Sequence, residues 1–181
     1  MKKEFDARRL DVRKFAQDAA ELEGSEPLHE YDRLLQETGG RGGDEPVSWS
    51  ARGEMLNPRH VQPEIWLHLK AATRLALVCQ RCLQPVDVDV FVDRSFRFVA
   101  DEAMAASEDE EAEEDVLAES RAFDLHQLVE DELLMDMPLA PRHGLCPVTL
   151  PASAGEEELQ ASAEIRPNPF EVLGRLKGPR H

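Results

Sequence analysis

Val86-Asp87-Val88-Asp89-Val90-Phe91-Val92-Asp93 places valine on every second residue, and Phe96 and Phe98 carry the same phase onward. Side chains of a strand point alternately to opposite faces, so this period of two marks a strand with one buried and one wet face. Upstream the same period recurs in Val47, Trp49 and Ala51, in Ile65, Leu67 and Leu69, and in Leu75 and Leu77. Short connections between such strands favour antiparallel pairing, because a parallel crossover takes about a dozen or more residues. The middle of the chain is therefore expected to be an antiparallel β meander or a partly closed barrel.

Helical spacing flanks the strands. Val12, Phe15, Ala16, Ala19 and Leu22 follow Asp11, a good N-cap, and Gly24 is expected to end that helix. A weaker helical piece takes in Leu28, Tyr31, Leu34 and Leu35 before a loop at Gly39-Gly40-Arg41-Gly42-Gly43, which lacks the Lys-Ser/Thr pair of a phosphate-binding loop. Downstream, Asp124 and Gln127 fit a capping box, with Phe123 and Leu128 as a hydrophobic staple. Leu125, Leu128, Val129 and Leu133 form the stripe of a helix that Pro138 stops, with His126 at its surface or boundary. Packing that stripe on the apolar sheet face gives a two-layer α+β domain. The expected organisation is an N-terminal helical segment over 1–43, a core domain over 44–147, and a linker with a short C-terminal helix over 148–181.

The chain of 181 residues has a formal net charge of −16, and ten acids with no base fall between 101 and 119. Self-repulsion predicts a disordered acidic loop there; a role as an RNA mimic or a lure for a basic ribosomal protein carries less weight. A net charge of this sign disfavours general nucleic-acid binding, which rests on Lys and Arg displacing counterions. The charged start Met1-Lys2-Lys3-Glu4 leads into no apolar signal region, and no long apolar run follows. A soluble protein is expected. Three cysteines point to reduced thiols or a metal site, and so to a cytoplasmic setting.

Cys79-Gln80-Arg81-Cys82 lies between two expected strands, where both thiols converge at a hairpin turn. No helix follows to lower a thiol pKa as in redox motifs, so a metal knuckle suits the spacing better. His143 and Cys146 supply two further donors at matching spacing, completing a structural zinc set of Cys79, Cys82, His143 and Cys146. Unmetallated cysteines at the sheet edge remain the weightier reading, since the glycine that relieves a metal knuckle is absent. No nucleophile with an evident base is present, and no catalytic residue is assigned.

At the C-terminus Asn168, Pro169 and Glu171 occupy N-cap, N1 and N3 of a short helix that Gly178-Pro179 ends. Phe170, Leu173 and Leu176 share one face, and four bases against one acid make residues 165–181 locally basic. Pro167, Asn168, Pro169, Phe170, Leu173, Arg175, Leu176 and Lys177 are the candidate partner-binding residues; capping the chain's own domain is an equal alternative.

Three stretches in this order resemble the YceD family of large ribosomal RNA subunit accumulation proteins. They are Cys79-Gln80-Arg81-Cys82-Leu83-Gln84-Pro85, then Val129-Glu130-Asp131-Glu132-Leu133-Leu134 leading into Pro138-Leu139-Ala140-Pro141-Arg142-His143, then Pro167-Asn168-Pro169-Phe170-Glu171-Val172-Leu173. The resemblance implies a non-catalytic factor for synthesis, processing or accumulation of 23S rRNA. Its implied partner is a ribosome-assembly or RNA-processing protein or the 23S rRNA precursor particle, with no membrane and no small-molecule substrate. The family includes members with more cysteines around Gly-Leu-Cys-Pro; here Val148 and Thr149 follow, which weakens a metal site carried over by resemblance. The alternatives are a zinc-stabilised RNA-binding module and a metal-dependent rRNA-processing enzyme.

Overall fold

The period-two stretch lies in the pair of longest strands, β3 (Glu64–Val78) and β4 (Pro85–Val99), which run antiparallel from Ile65 opposite Phe98 to Val78 opposite Pro85. The computed structural model describes residues 5–61 and 63–148. Leu75 and Leu77 continue the strand begun at Ile65, because Ala71 and Thr73 keep the buried phase between them. On the other side of β3 lies β2 (Pro46–Leu56), followed by β1 (Glu21–Pro27). At the far edge β5 (Asp115–Ala118) runs parallel to β4. The sheet is thus open and mixed, in the order β1-β2-β3-β4-β5, with its one parallel pair reached through helix α3 (Glu102–Asp109).

Helices α1 (Val12–Gln17) and α4 (Leu125–Met135) pack on the sheet, and α2 (Asp32–Glu37) packs on α4. Phe15, Leu34, Leu67, Leu69, Phe96, Leu125 and Leu133 are buried together, each contributing roughly 1.5–3 kcal/mol of transfer free energy. The start of α4 is as its residues predict: the Asp124 carboxylate accepts from the Gln127 amide at 2.9 Å.

The first helix is shorter than its spacing suggests. It ends at Gln17, Ala19 turns the chain at φ +44°, and Leu22 and Gly24 lie in β1. Gly24 is a site of close approach and does not stop a helix, since a Cβ there would stand 2.5 Å from the Trp49 ring. Gly53 plays the same part beneath α1, where a Cβ would meet the Phe15 backbone at 2.8 Å.

The acidic stretch differs more. It forms α3 and β5, because its counter-charges come from other elements. Arg97 of β4 reaches Glu108 and Glu114, each at 2.7 Å; Arg13 of α1 reaches Glu119 at 2.6 Å. His126 is buried, its ring stacked on Tyr31 at 4.1 Å, because α4 turns that residue toward the segment before α2. The residues from Pro167 to Lys177 lie outside the described residues.

Candidate metal centre

Strand β3 ends at Val78, and the chain turns immediately. The Cys79 amide donates to the Gln84 carbonyl and the Leu83 amide to the Cys79 carbonyl, both at 2.9 Å, so the Cys79–Cys82 segment is a closed knuckle. Leu83, directly after the second cysteine, adopts φ +59°, the left-handed conformation for which glycine is favoured. The Gln80 amide donates to the Pro141 carbonyl at 2.8 Å and brings the segment after α4 against the knuckle. Cys82 Sγ then lies 3.4 Å from His143 Nδ1, and Cys146 comes in beside them.

The donor atoms of Cys79, Cys82, His143 and Cys146 all lie within 4.8 Å of one another. A tetrahedron with metal–sulfur bonds of about 2.3 Å has edges of about 3.8 Å, so the set would close on one ion if its widest separation contracted by about an ångström. Cys79 and Cys82 are buried, while His143 and Cys146 are partly exposed. These four residues form a group that can hold a metal ion. Burial pushes the Cys79 thiol up, but the amides of His143, Cys82 and Arg81 and the His143 side chain outweigh it and bring the thiol down to about 5. Thiolate, the ligand form, is thereby favoured at Cys79. Cys146 is pushed the other way, by burial first and then by the neighbouring Cys82 and Cys79 sulfurs.

Three consecutive acids of α4 are also committed. Glu130 Oε1 accepts from the amides of Arg33 at 2.8 Å and Leu34 at 3.3 Å, capping α2, whose own N-cap Tyr31 makes no side-chain capping bond. Glu130 Oε2 and Asp131 both hold the Arg33 guanidinium. Glu132, 5% exposed, faces Arg94, which occupies the core-side phase of β4.

A family model described as large ribosomal RNA subunit accumulation protein YceD matches residues 67–177. The chain belongs to the YceD family. The match runs from within β3 through the knuckle and α4 to beyond the Pro167–Leu173 motif. No solved structure matches the chain. The family's name gives a role in accumulation of large-subunit rRNA and describes no reaction.

On the open sheet face of this YceD chain, His68 Nδ1 lies 2.8 Å from Ser95 Oγ and His68 Nε2 lies 2.8 Å from Glu54 Oε2. The trio is cross-strand, which is why no motif in the sequence announced it. Its ring is reversed relative to a hydrolase relay, which presents Nε2 to the serine. The trio is a polar cross-strand bridge, like Lys70–Asp93 and Arg74–Asp89 beside it. Among the described residues no helix is long and apolar enough to cross a membrane.

Proposed function

We propose that this YceD protein promotes 23S rRNA accumulation by recognition alone, binding a ribosome-assembly or RNA-processing protein or the precursor particle. In this reading Cys79, Cys82, His143 and Cys146 hold a structural zinc that fastens the segment after α4 to the β3–β4 turn. The observation that carries it is the donor set itself: four protein donors within 4.8 Å would fill every position of a tetrahedral zinc and leave none for a substrate. A processing enzyme would need such a position. Phe170, Leu173 and Leu176, inside the matched range, are proposed as a second contact with the partner.

Cells lacking the protein should show less 23S rRNA relative to 16S rRNA, and protein purified without chelator should carry about one zinc per chain. An unchanged rRNA ratio across growth temperatures sinks the functional reading; a chain free of zinc sinks the metal. Truncation after Ala163 should leave the melting temperature in place and abolish rescue.

A further inference from the structure

Leu83 is held in a left-handed backbone conformation, φ +59°, with 72% of its surface exposed. That conformation is strained for a leucine, and so little burial does not offset the strain. Leu145, next to Cys146, is 92% exposed, and Leu139, two residues before the Pro141 carbonyl that binds the Gln80 amide, is fully exposed. The convergence of the four donors, with the Gln80–Pro141 bond, brings together the two loops that carry these leucines.

The segments that form the knuckle are free of acids. Acids number 37 in 181 residues, yet 76–86 and 137–149 contain none. Those segments carry Arg81 and Arg142, both exposed. They contain no Phe, Trp or Tyr.

We propose that the knuckle end docks a protein segment whose apolar side chains are flanked by carboxylates, with Leu83, Leu139 and Leu145 as the apolar contact and Arg81 and Arg142 as the charged rim. Exposed apolar side chains with arginine around them have the make-up of a protein interface. Single-stranded RNA is disfavoured as occupant, since it is held by stacking on aromatic rings along a strongly basic groove, and these segments hold no Phe, Trp or Tyr and only two arginines. The docking inference deepens the recognition reading of the previous section and rests on it; the metal, in that reading, fixes the two loops that carry the leucines.

The test uses the full chain and a displayed library of random dodecapeptides. Selected peptides should combine leucine or phenylalanine with Asp and Glu. Binding of the most enriched synthetic peptide should weaken about tenfold or more in Leu83→Ser/Leu145→Ser. It should also weaken in Arg81→Glu/Arg142→Glu, and a version of the peptide with Lys in place of its acids should bind this second variant better than the wild type. Melting temperature and zinc content, measured on the same preparations, should be unchanged in both variants. Enrichment of basic peptides, or binding indifferent to the leucines, overturns the proposal. So does a 23S rRNA fragment whose binding is lost with Arg81 and Arg142, which makes the surface a nucleic-acid site, or a dimer lost with Leu83 and Leu145, which makes the occupant a second copy. A chain without zinc that still selects acidic, apolar peptides overturns the metal reading and leaves the docking surface standing.

Discussion

The acids of α4 and the knuckle after β3 both belong to the YceD match, yet their side chains do opposite things. Glu130, Asp131 and Glu132 all turn to arginines or amides of the same chain, two of them from inside the core. At the knuckle the cysteines and His143 converge inward, and Leu83, Arg81, Arg142 and Leu145 are exposed, with nothing among the described residues against them to explain their types. The α4 stretch therefore reports on how the fold is held, and the outer side chains of the knuckle are the surface proposed for docking.

Substitution should separate the two regions. Cys82→Ser has the largest expected effect: removing one ligand from the proposed zinc site should release the metal and lower the melting temperature by more than about 10 °C. Metal analysis and thermal melts with and without chelator check it. A melt indifferent to chelator would show a knuckle held by its backbone bonds alone.

Glu130→Ala comes next. It orphans the Arg33 and Leu34 amides at the start of α2 and leaves the Arg33 guanidinium with Asp131 alone, and should cost about 3 kcal/mol in urea denaturation. Glu130→Gln keeps an acceptor for the amides and loses only the charge, so about 1 kcal/mol is expected. Equal losses in the two variants would mean that the ion pair, and not the cap, is what Glu130 supplies.

The strands and the Asp124 cap were legible because each depends on local spacing: Val86 to Phe98 in period two, Asp124 three residues before Gln127. The four-residue donor set could be named from its matched Cys-x-x-Cys and His-x-x-Cys spacings, with unmetallated cysteines the weightier reading; that the two pairs meet depends on the bond from the Gln80 amide to the Pro141 carbonyl, which spacing does not show. What was not legible is what depends on partners distant in sequence. The acids of 101–119 look unbalanced until Arg97, Arg94 and Arg13 are brought to them. Gly24 reads as a helix stop until Trp49 lies over it. One signal was available and passed over: Arg94 interrupts the buried phase between Val92 and Phe96, and an arginine there calls for a buried acid, which Glu132 is.

That pair gives a smaller, pH-dependent test. Glu132 Oε2 is 3.2 Å from Arg94 Nε but accepts no hydrogen bond, the two atoms being close without alignment. Burial raises the carboxyl above its ordinary 4.5; Arg94 opposes this, and Asp115, Asp131 and Asp136 add to it. The folded chain therefore holds the proton more tightly than the unfolded one. The contribution is fully present below the ordinary value and is lost as pH rises from there through the folded value. Glu132→Gln should remove that decline and stabilise the protein at neutral pH by about 1 kcal/mol. Urea midpoints between about pH 5 and pH 8 decide it: a wild type no steeper than the variant would show that Arg94 already compensates the charge.

The smallest effect has the most to say about the knuckle. At Leu83 a left-handed backbone costs a leucine about 1–2 kcal/mol, whereas glycine adopts it freely and instead loses about 0.5–1 kcal/mol through its looser unfolded chain. With 72% of Leu83 exposed, little burial is lost on its removal. Leu83→Gly should therefore stabilise the fold by up to about 1 kcal/mol, while Leu83→Ala, which keeps the strain, should not. Thermal and urea melts of the two variants read this directly. If glycine destabilises, Leu83 earns its place by packing and the φ value is incidental. If glycine stabilises and yet rescues 23S rRNA less well than the wild type, the leucine is there for its outward surface, and the comparison between the α4 acids and the knuckle holds at the level of a single residue.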